Sequence, residues 1–498
     1  MELTGYNLTL DALKAIVDGK EKVSISPQAK ASMAKARQIV LAAVDSDEAI
    51  YGLNTSVGKN KDIRIPRSEL EDFNRQLIYA HCVGIEPELS IEKVRAAMLI
   101  RLNGLIKGYA GVQIEMADLL VDFLNYGVTP VVNGRGSVGE GDIGILSYIG
   151  LGLIGEGLID YQGERYQAAD VFQKLGLKPI RLYAKDGLGI ISSNAVSFSK
   201  ICLLIKQLEN LLKWFDLAYA LSLEALNGNV TPLDDSVLAS KNLTGQIKSA
   251  LHIKTFLKGS YLLKKQSRTV QDPLSFRNVP LIHGAIYDCL LHTKDLIFQE
   301  LQASDDNPMV DISNKRVIST PNFETLSISL SVEMLKVALS HLSRASVQRV
   351  IKLGNPDFTA LSRFLRANDK QYFGLQALQK TAATLDIEIH HASQILSNIS
   401  YPLAGEMEDR QTNLPLVIQE AEAIFDKLYE LLAIELLYAC QAISLRFSDK
   451  KPLGKGTQEI YDRIAGRYGI IEDVHQLYAI VNGISKELRE QPVRFTFE

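Results

Sequence analysis

The stretch GRGSVGEGDIGILSYIGLGLIGEG, residues 134–157, joins a glycine-rich turn to the most apolar segment of the chain. Glycines cluster where the backbone adopts unusual dihedral angles or approaches another group closely. The apolar part, residues 143–155, lies between Asp142 and Glu156 and is too short to cross a bilayer core of about 30 Å. The stretch therefore predicts a buried helix that begins directly after a tight turn, with Asp142 as the acidic residue at its N-terminus.

Residues 201–226 and 416–445 have the composition of long helices with few helix-breaking residues. The first ends at Asn227-Gly228, which is a helix-stop signal. Both segments carry apolar residues on more than one face, and such helices are buried among other helices. The sequence therefore predicts an all-α fold, with a long central helical bundle and a more mixed N-terminal part.

A third long helix is predicted downstream of residue 326, where apolar residues recur at helical spacing. Leu330, Met334 and Val337 follow this spacing, while Glu333 and Lys336 fall between them. We expect this helix to join the central bundle.

Few segments have the pattern of a β-strand. The clearest is residues 158–166, where Gln162-Gly163 is expected to form the turn of a short hairpin. Neither a Pro/Gly/Ser-rich linker nor an internal repeat divides the sequence. Soft boundaries are expected to separate an N-terminal part with the active-site loops, a central helical bundle and a C-terminal helical segment, at residues 1–197, 198–448 and 449–498.

Composition excludes several classes of function. The 498 residues are 46% hydrophobic and 22% charged, which is typical of a globular protein with a large core. A formal charge of −4 without runs of like charge gives no attraction to nucleic acid or to anionic membranes. The N-terminus lacks the pattern of a secretory signal, so a cytoplasmic location is expected. No zinc site or disulfide framework is predicted, because the four cysteines are far apart: Cys82, Cys202, Cys289 and Cys440.

A series of short motifs runs along the chain in a fixed order. The motifs are YGLNTSVG (51–58), AHCVG (80–84), NGLIKGYAGV (103–112), GRGSVGEGDIG (134–144), KDGLGIISSN (185–194), VQDPLSFRNVP (270–280), DDNPMV (305–310), PNFET (321–325), MEDRQT (407–412) and AIELLYACQAISLR (433–446). Together they resemble the motif series of the histidine/aromatic amino acid ammonia-lyase family, which includes YGxNTGFG, SHxxG, NSLxKGYSGV and VQDxYSLRCxP. This resemblance implies an all-helical fold of the ammonia-lyase and fumarase/aspartase type. It also implies a homotetramer whose active sites combine residues of several subunits.

The glycine-rich turn departs from the family where the family forms its prosthetic group. There the segment reads GSVGASGDLAPLxH, and its Ala-Ser-Gly tripeptide cyclises and loses two waters to give the electrophile methylidene-imidazolone. Here only Glu140 and Gly141 separate Gly139 from Asp142, so the segment is one residue short and has no serine to supply the exocyclic carbon. The sequence therefore predicts that no methylidene-imidazolone forms, and that the protein uses no other cofactor and no metal.

Other departures affect residues that assist this electrophile or the substrate amine in the family. Ser192 stands where the family has the asparagine of its NGT motif, and Asn194 follows two places later. Leu274 replaces the second catalytic tyrosine, and Met407 replaces the glutamine of the NQED motif. The residues that assist the electrophile are thus replaced together with the serine that would form it.

The residues that are kept match those that react with or bind the substrate in the family. Tyr51 matches the catalytic tyrosine, and Arg277 matches the arginine that binds the substrate carboxylate through a planar guanidinium. The other matches are His81 against the substrate side chain, Asn307 and Phe323 in the pocket, and Glu408 as the acidic residue of NQED. Each alternative role is structural: a packed loop tyrosine for Tyr51, an ion pair for Arg277, a satisfied core histidine for His81 and an interface contact for Glu408.

These matches favour a lyase that acts on a carboxylate-bearing, amino-acid-like or aromatic small molecule by acid–base elimination or addition without the prosthetic group. Tyr51 is expected to transfer the proton, Arg277 to hold the acid, and Glu140 to serve as the second acid or base. Burial raises the pKa of a carboxyl such as Glu140 and a helix N-terminus lowers it, so the sequence leaves the direction open. Two alternatives are a silent relative that binds a small acid or a protein, and an ordinary ammonia-lyase for histidine, tyrosine or phenylalanine.

Overall fold

The computed structural model describes residues 1–264, 269–446 and 451–493. The chain divides into two compact units. The first consists of Met1–Leu204, Lys294–Leu330 and Ile395–Ile418, and the second of Ile205–Thr293, Ser331–Gln394 and Gln419–Glu498. The division into three parts expected from the sequence stays a prediction.

The N-terminal 226 residues contain nine helices and seven short strands. The helices are α1 Leu10–Val17, α2 Pro27–Val44, α3 Leu70–His81, α4 Ile91–Leu105, α5 Ile114–Tyr126, α6 Ile143–Leu153, α7 Ala168–Leu175, α8 Asp186–Ile191 and α9 Ala195–Leu226. The strands are β1 Glu2–Leu3, β2 Ser24–Ile25, β3 Ile85–Glu88, β4 Thr129–Pro130, β5 Asn133–Arg135, β6 Leu158–Tyr161 and β7 Glu164–Gln167.

In the rest of the described chain the regular secondary structure is helical, except for one hairpin formed by β8 Met309–Asp311 and β9 Arg316–Ile318. Its helices are α10 Asp235–Lys241, α11 Thr244–Phe256, α12 Leu274–Arg277, α13 Val279–Gln302, α14 Leu326–Leu353, α15 Pro356–Thr359, α16 Gln376–Ala392, α17 Leu403–Glu406, α18 Leu414–Arg446, α19 Lys455–Tyr468 and α20 Leu477–Glu490. The predicted all-α class is confirmed, with most strands in the N-terminal part.

Local sequence signals account for many of these boundaries. Ser26 and Ser90 cap α2 and α4 by accepting hydrogen bonds from backbone N–H groups of the first turn. The helix α9 ends at Leu226, directly before Asn227, whose φ of +58° stops the helix as predicted. The predicted hairpin is also present, since β6 and β7 pair in antiparallel register across Gln162-Gly163.

The apolar helix after the glycine-rich turn is α6, as predicted, but Asp142 has a different role from the expected one. Its side chain does not cap α6. The fully buried carboxylate instead accepts hydrogen bonds from Ser197 N at 2.7 Å and Ser197 Oγ at 2.9 Å, in the first turn of α9. Asp142 therefore joins the starts of two helices, because its backbone carbonyl accepts from the first turn of α6 while its side chain serves α9.

The apolar stripe of α14 is exposed in the single chain. Leu330, Met334 and Val337 are 51%, 41% and 42% exposed, whereas Glu333 and Lys336 are buried. This arrangement is the reverse of a surface helix, whose apolar side faces the core. Contiguous exposed apolar surface of this kind marks a site where another surface packs.

Two helical stretches pass a length and hydropathy test for crossing a membrane, at residues 186–226 and 414–446. Their most apolar windows are 100% and 83% buried within the fold. Buried apolar helices of this length are typical of the core of a globular protein.

Candidate active site

The glycine-rich turn before α6 is held from both sides by side chains of the first unit. The carbonyl of Gly139 accepts hydrogen bonds from Thr325 Oγ1 at 2.8 Å and Thr412 Oγ1 at 3.1 Å. The backbone N–H of Gly141 donates to Asn194 Oδ1 at 2.9 Å. Gly139 and Gly141 have φ of +93° and +91°, which favour glycine, and they present Glu140 between them.

Asn194 connects this turn to the rest of the site. Its Nδ2 donates to the carbonyl of Phe323 at 2.9 Å, and its backbone N–H donates to Asp305 Oδ2 at 2.7 Å. Asp305 lies 3.5 Å from the buried guanidinium of Arg101, which also forms an ion pair with Asp306 at 2.7 Å. Asn194 is therefore fixed by charge-assisted contacts, and it positions the peptide on which Glu140 is carried.

The carboxyl group of Glu140 is half-buried, and its Oε1 is buried without a hydrogen-bond partner among the described residues. Burial raises its pKa to about 8, and the nearby carboxylates of Glu324 and Glu408 act in the same direction, against Arg410. The sequence left the direction of the pKa shift of Glu140 open, and in the structure this pKa is raised. The raised pKa favours the neutral acid over the carboxylate at this position.

Two carboxylates and one guanidinium act electrostatically on Glu140: those of Glu324, Glu408 and Arg410. Arg410 is shared with Glu324, with Nε at 3.2 Å from Glu324 Oε2. Glu408 also acts on Tyr51, so it lies within electrostatic range of both Glu140 and the tyrosine. The surplus of acidic groups gives the region an affinity for a positively charged ligand.

Tyr51 lies at the start of a loop whose base is anchored in the core of the first unit. Leu53 is fully buried in a cluster with Val40, Leu70 and Val310. The phenolic oxygen of Tyr51 accepts a hydrogen bond from the backbone N–H of Gly58 at 2.9 Å. Burial nevertheless raises the pKa of Tyr51, and Glu408 raises it further, against the effect of the Gly58 N–H. The sequence-based expectation that Tyr51 transfers a proton would require a pKa lowered towards neutrality, whereas in the free protein this pKa is raised.

The other predicted residues of the first unit form pairs or local contacts. Ser192 Oγ donates to the carbonyl of Asn307 and accepts from the N–H of Asn307, both at 3.3 Å, and Asn307 Oδ1 accepts from the Thr320 N–H at 2.9 Å. His81 ends α3, with Nδ1 2.7 Å from the carbonyl of Leu77. Ser192 lies two residues before Asn194, and Asn307 lies two residues after Asp305, which accepts a hydrogen bond from Asn194.

Arg277 belongs to the second unit, where it ends the short helix α12. Its guanidinium is half-buried and donates to Gln271 Oε1. The role of Arg277 in binding a carboxylate stays a prediction.

The residues of the turn do not fit the family's prosthetic group. Counted back from Asp142, Gly139 takes the place of the alanine of the tripeptide, and a Cβ at Gly139 would lie 2.3 Å from Thr412 Oγ1 and 2.8 Å from the backbone nitrogen of Leu414. Glu140 stands in the place of the serine and has no hydroxyl to eliminate. The backbone nitrogen of Gly141, which would close the imidazolone ring, donates a hydrogen bond to Asn194 Oδ1.

Several residues that shape the site have no assigned role in the sequence-based prediction. They are Thr325 and Thr412 on the Gly139 carbonyl, Asp305 behind Asn194, and the pair Glu324 and Arg410 beside Glu140. All lie within the motifs that carry the resemblance, one to four residues from a residue that was selected. Hydroxyl and charged residues inside these motifs could therefore have been selected from the sequence as further site residues.

The mainly helical fold is that of a class of carbon–nitrogen lyases, the ammonia-lyases. The family model for aromatic amino acid lyases matches residues 8–466. The histidine ammonia-lyase of Alkaliphilus oremlandii is 33% identical over 482 residues, covering 96% of this chain and 95% of that protein. The chain therefore belongs to the histidine/aromatic amino acid ammonia-lyase family.

Solved structures agree with this assignment. A crystal structure of the ergothioneine-degrading enzyme ergothionase from Treponema denticola, in complex with desmethyl-ergothioneine sulfonic acid, is 36% identical with a TM-score of 0.96, and the match covers 100% of both chains. The histidine ammonia-lyase of Trypanosoma cruzi is 27% identical with a TM-score of 0.87, covering 98% of this chain and 93% of that one.

Proposed function

We propose that this protein is a lyase that eliminates a tertiary amine from an amino-acid betaine such as ergothioneine, without a prosthetic group. The observation that carries the proposal is Glu140, which stands where the family has its serine and whose Oε1 is buried with no hydrogen-bond partner in the described part of the chain. The similarity to ergothionase supports a betaine as substrate. A cytoplasmic location is part of the proposal.

The chemistry of the leaving group explains why an acid replaces the electrophile. A trimethylammonium group already carries a positive charge, and it departs as neutral trimethylamine when the carbon–nitrogen bond breaks. It needs neither a proton nor a covalent bond to the protein in order to leave. A surplus of carboxylates, from Glu140, Glu324 and Glu408, is the environment that binds such a cation.

Proton removal is assigned to Tyr51. As Tyr51 removes the proton from the β-carbon, the C–H electron pair forms the new double bond and the C–N pair leaves with the amine. The Gly58 N–H, 2.9 Å from the phenolic oxygen, stabilises the phenolate. A substrate cation bound near Glu408 offsets the effect of this carboxylate on Tyr51, so substrate binding itself lowers the pKa of the base. Arg277 is the proposed partner of the substrate carboxylate.

Substrate profiling tests the proposal. Purified protein is incubated with ergothioneine, with the betaine of histidine, and with free histidine, phenylalanine and tyrosine, and both the conjugated enoic acid and the released amine are measured. We expect the betaines to yield trimethylamine and the free amino acids to yield no ammonia. Ammonia release from a free amino acid, without turnover of the betaines, would contradict the proposal.

The mass of the intact chain tests the absence of the prosthetic group separately. We expect the mass of the unmodified sequence, because no serine lies between Gly139 and Asp142 to lose its hydroxyl. A deficit of two waters would show that a cyclisation occurs, and the proposed mechanism would then be wrong even if a betaine is the substrate.

A further inference from the structure

A cavity of about 500 Å³ lies in the first unit, lined by residues to which the proposed reaction gives no role. Its wall includes Tyr6, Tyr109, Glu300, Met309 and Asn322. This volume is within the range of small-molecule sites, about 300–1,000 Å³. Two phenol rings, a thioether and a carboxylate are the groups that surround organic ammonium ions in proteins.

The carboxylate of Glu300 has no charged or hydrogen-bonding partner among the residues that the structure describes. Burial raises its pKa to about 7, and Asp305 raises it further by repulsion. A half-buried acid without a cation is costly, and a positively charged ligand in the cavity would relieve this cost.

The aromatic part of the cavity already borders one ammonium group. Lys107 Nζ lies 5.7 Å from the centroid of the Tyr6 ring, and it donates to the backbone carbonyls of Leu301 and Ala303. Tyr109 lies within hydrogen-bonding reach of Tyr6, and this contact adds to the effect of burial that raises the pKa of Tyr6 to about 12. A ligand cation is attracted by Glu300 and repelled by Lys107, so the end of the cavity nearest Glu300 is favoured.

We infer that this cavity is a second ligand site, separate from the turn that carries Glu140, and that it binds small quaternary or tertiary ammonium ions. Besides Tyr6 and Tyr109, its wall comes from two segments that also support the candidate active site. One contains Asp305, which fixes Asn194, and the other contains Asn322, the neighbour of Phe323. The inference does not depend on the proposed reaction, because it rests on the residues of the cavity.

Titration with tetramethylammonium chloride tests the inference, using saturation-transfer NMR at constant ionic strength. The full chain carries Glu140→Gln as background, so that the carboxylate of Glu140 does not contribute. We expect this variant to retain saturable binding, and the double variant Glu140→Gln/Glu300→Gln to bind about fivefold to tenfold more weakly, the loss expected for a partly desolvated cation contact. Glu115→Gln on the same background removes an equal charge from an exposed position and should leave binding unchanged.

Two controls separate a cation site from an apolar cavity and from a folding defect. The neutral isostere 3,3-dimethylbutan-1-ol should bind the background variant much more weakly than tetramethylammonium, and thermal unfolding should match between the single and double variants. Loss of all saturable binding in Glu140→Gln alone, equal binding by Glu140→Gln/Glu300→Gln, or equal binding of the neutral isostere would each overturn the inference. Turnover of betaines, measured on the parent, tests the proposed reaction independently.

Discussion

At the scale of single residues, the protonation of Glu140 couples ligand binding to pH. In the free protein its pKa is about 8, since burial and two nearby carboxylates favour the neutral acid. A bound quaternary ammonium favours the carboxylate, so binding releases a proton below this pKa. We therefore expect the inhibition constant of a non-reactive betaine to fall by up to about tenfold per pH unit between pH 6 and 8, and to level off above. In Glu140→Gln this dependence should disappear, and an unchanged slope in the variant would exclude Glu140 as the coupled group.

The raised pKa of Glu140 also affects stability: as pH rises, the folded protein becomes less stable, whereas ligand binding becomes stronger. Between its ordinary pKa of 4.5 and the raised value of about 8, the folded protein binds more protons than the unfolded chain. The free energy of unfolding therefore falls as pH rises through this range. We expect Glu140→Gln to have the Tm of the parent at pH 4 and a higher Tm than the parent at pH 9. A constant difference between the two proteins across this range would contradict the raised pKa.

Tyr51 is the residue on which the proposed chemistry depends most. Tyr51→Phe removes one oxygen and little volume, so folding should be retained while kcat falls by about 10²–10⁴, the usual contribution of a positioned acid or base. The matched control is Tyr166→Phe, which removes the oxygen of a half-buried tyrosine on β7 that bonds Glu164, and it should leave kcat unchanged. Full activity of Tyr51→Phe would mean that the tyrosine only packs.

At the scale of elements, the glycine-rich turn depends on the absence of a side chain at Gly139. Gly139→Ala combines an unfavourable φ of +93° with a Cβ only 2.3 Å from Thr412 Oγ1. Gly163→Ala, in the β6–β7 hairpin, meets the same kind of backbone strain at φ +83° but has nothing within 4 Å. We expect the hairpin variant to lose about 1 kcal/mol and Gly139→Ala to lose clearly more, together with its activity. Chemical unfolding measures both, and equal losses would show that the turn tolerates a side chain.

The elements also show what the sequence can and cannot predict. The hairpin at Gln162-Gly163, the end of α9 at Asn227 and the apolar helix α6 were all predicted, because each depends on neighbours in sequence. The use of Asp142 by α9 was missed, since its partner Ser197 is 55 residues away. The upward shift of the Tyr51 pKa comes first from burial in the folded chain and then from Glu408, 357 residues further along the sequence, and neither can be read from the residues next to Tyr51.

At the scale of the whole molecule, a single chain leaves part of its apolar surface exposed to solvent. Leu330, Met334 and Val337 of α14 are exposed although their spacing marks an apolar face. A symmetric assembly is the usual way to cover such a face, and the resemblance implies a homotetramer. The sequence carries the pattern, but which surface covers it depends on contacts that lie outside one chain.

Such an assembly is expected to combine Tyr51 of one subunit with Arg277 of another in each active site. Tyr51→Phe and Arg277→Ala should each be nearly inactive, the first through lost proton transfer and the second through weakened carboxylate binding. If the two variants are dissociated, mixed in equal amounts and reassembled, about a quarter of the sites receive both intact residues, because each is supplied by an independently chosen subunit. We therefore expect recovery of about a quarter of the parent's kcat, whereas reassembly of either variant alone should recover none. If Tyr51 and Arg277 of the same chain formed the site, no mixed site would be intact, and absence of recovery in a tetramer shown to contain both variants would overturn the shared-site prediction.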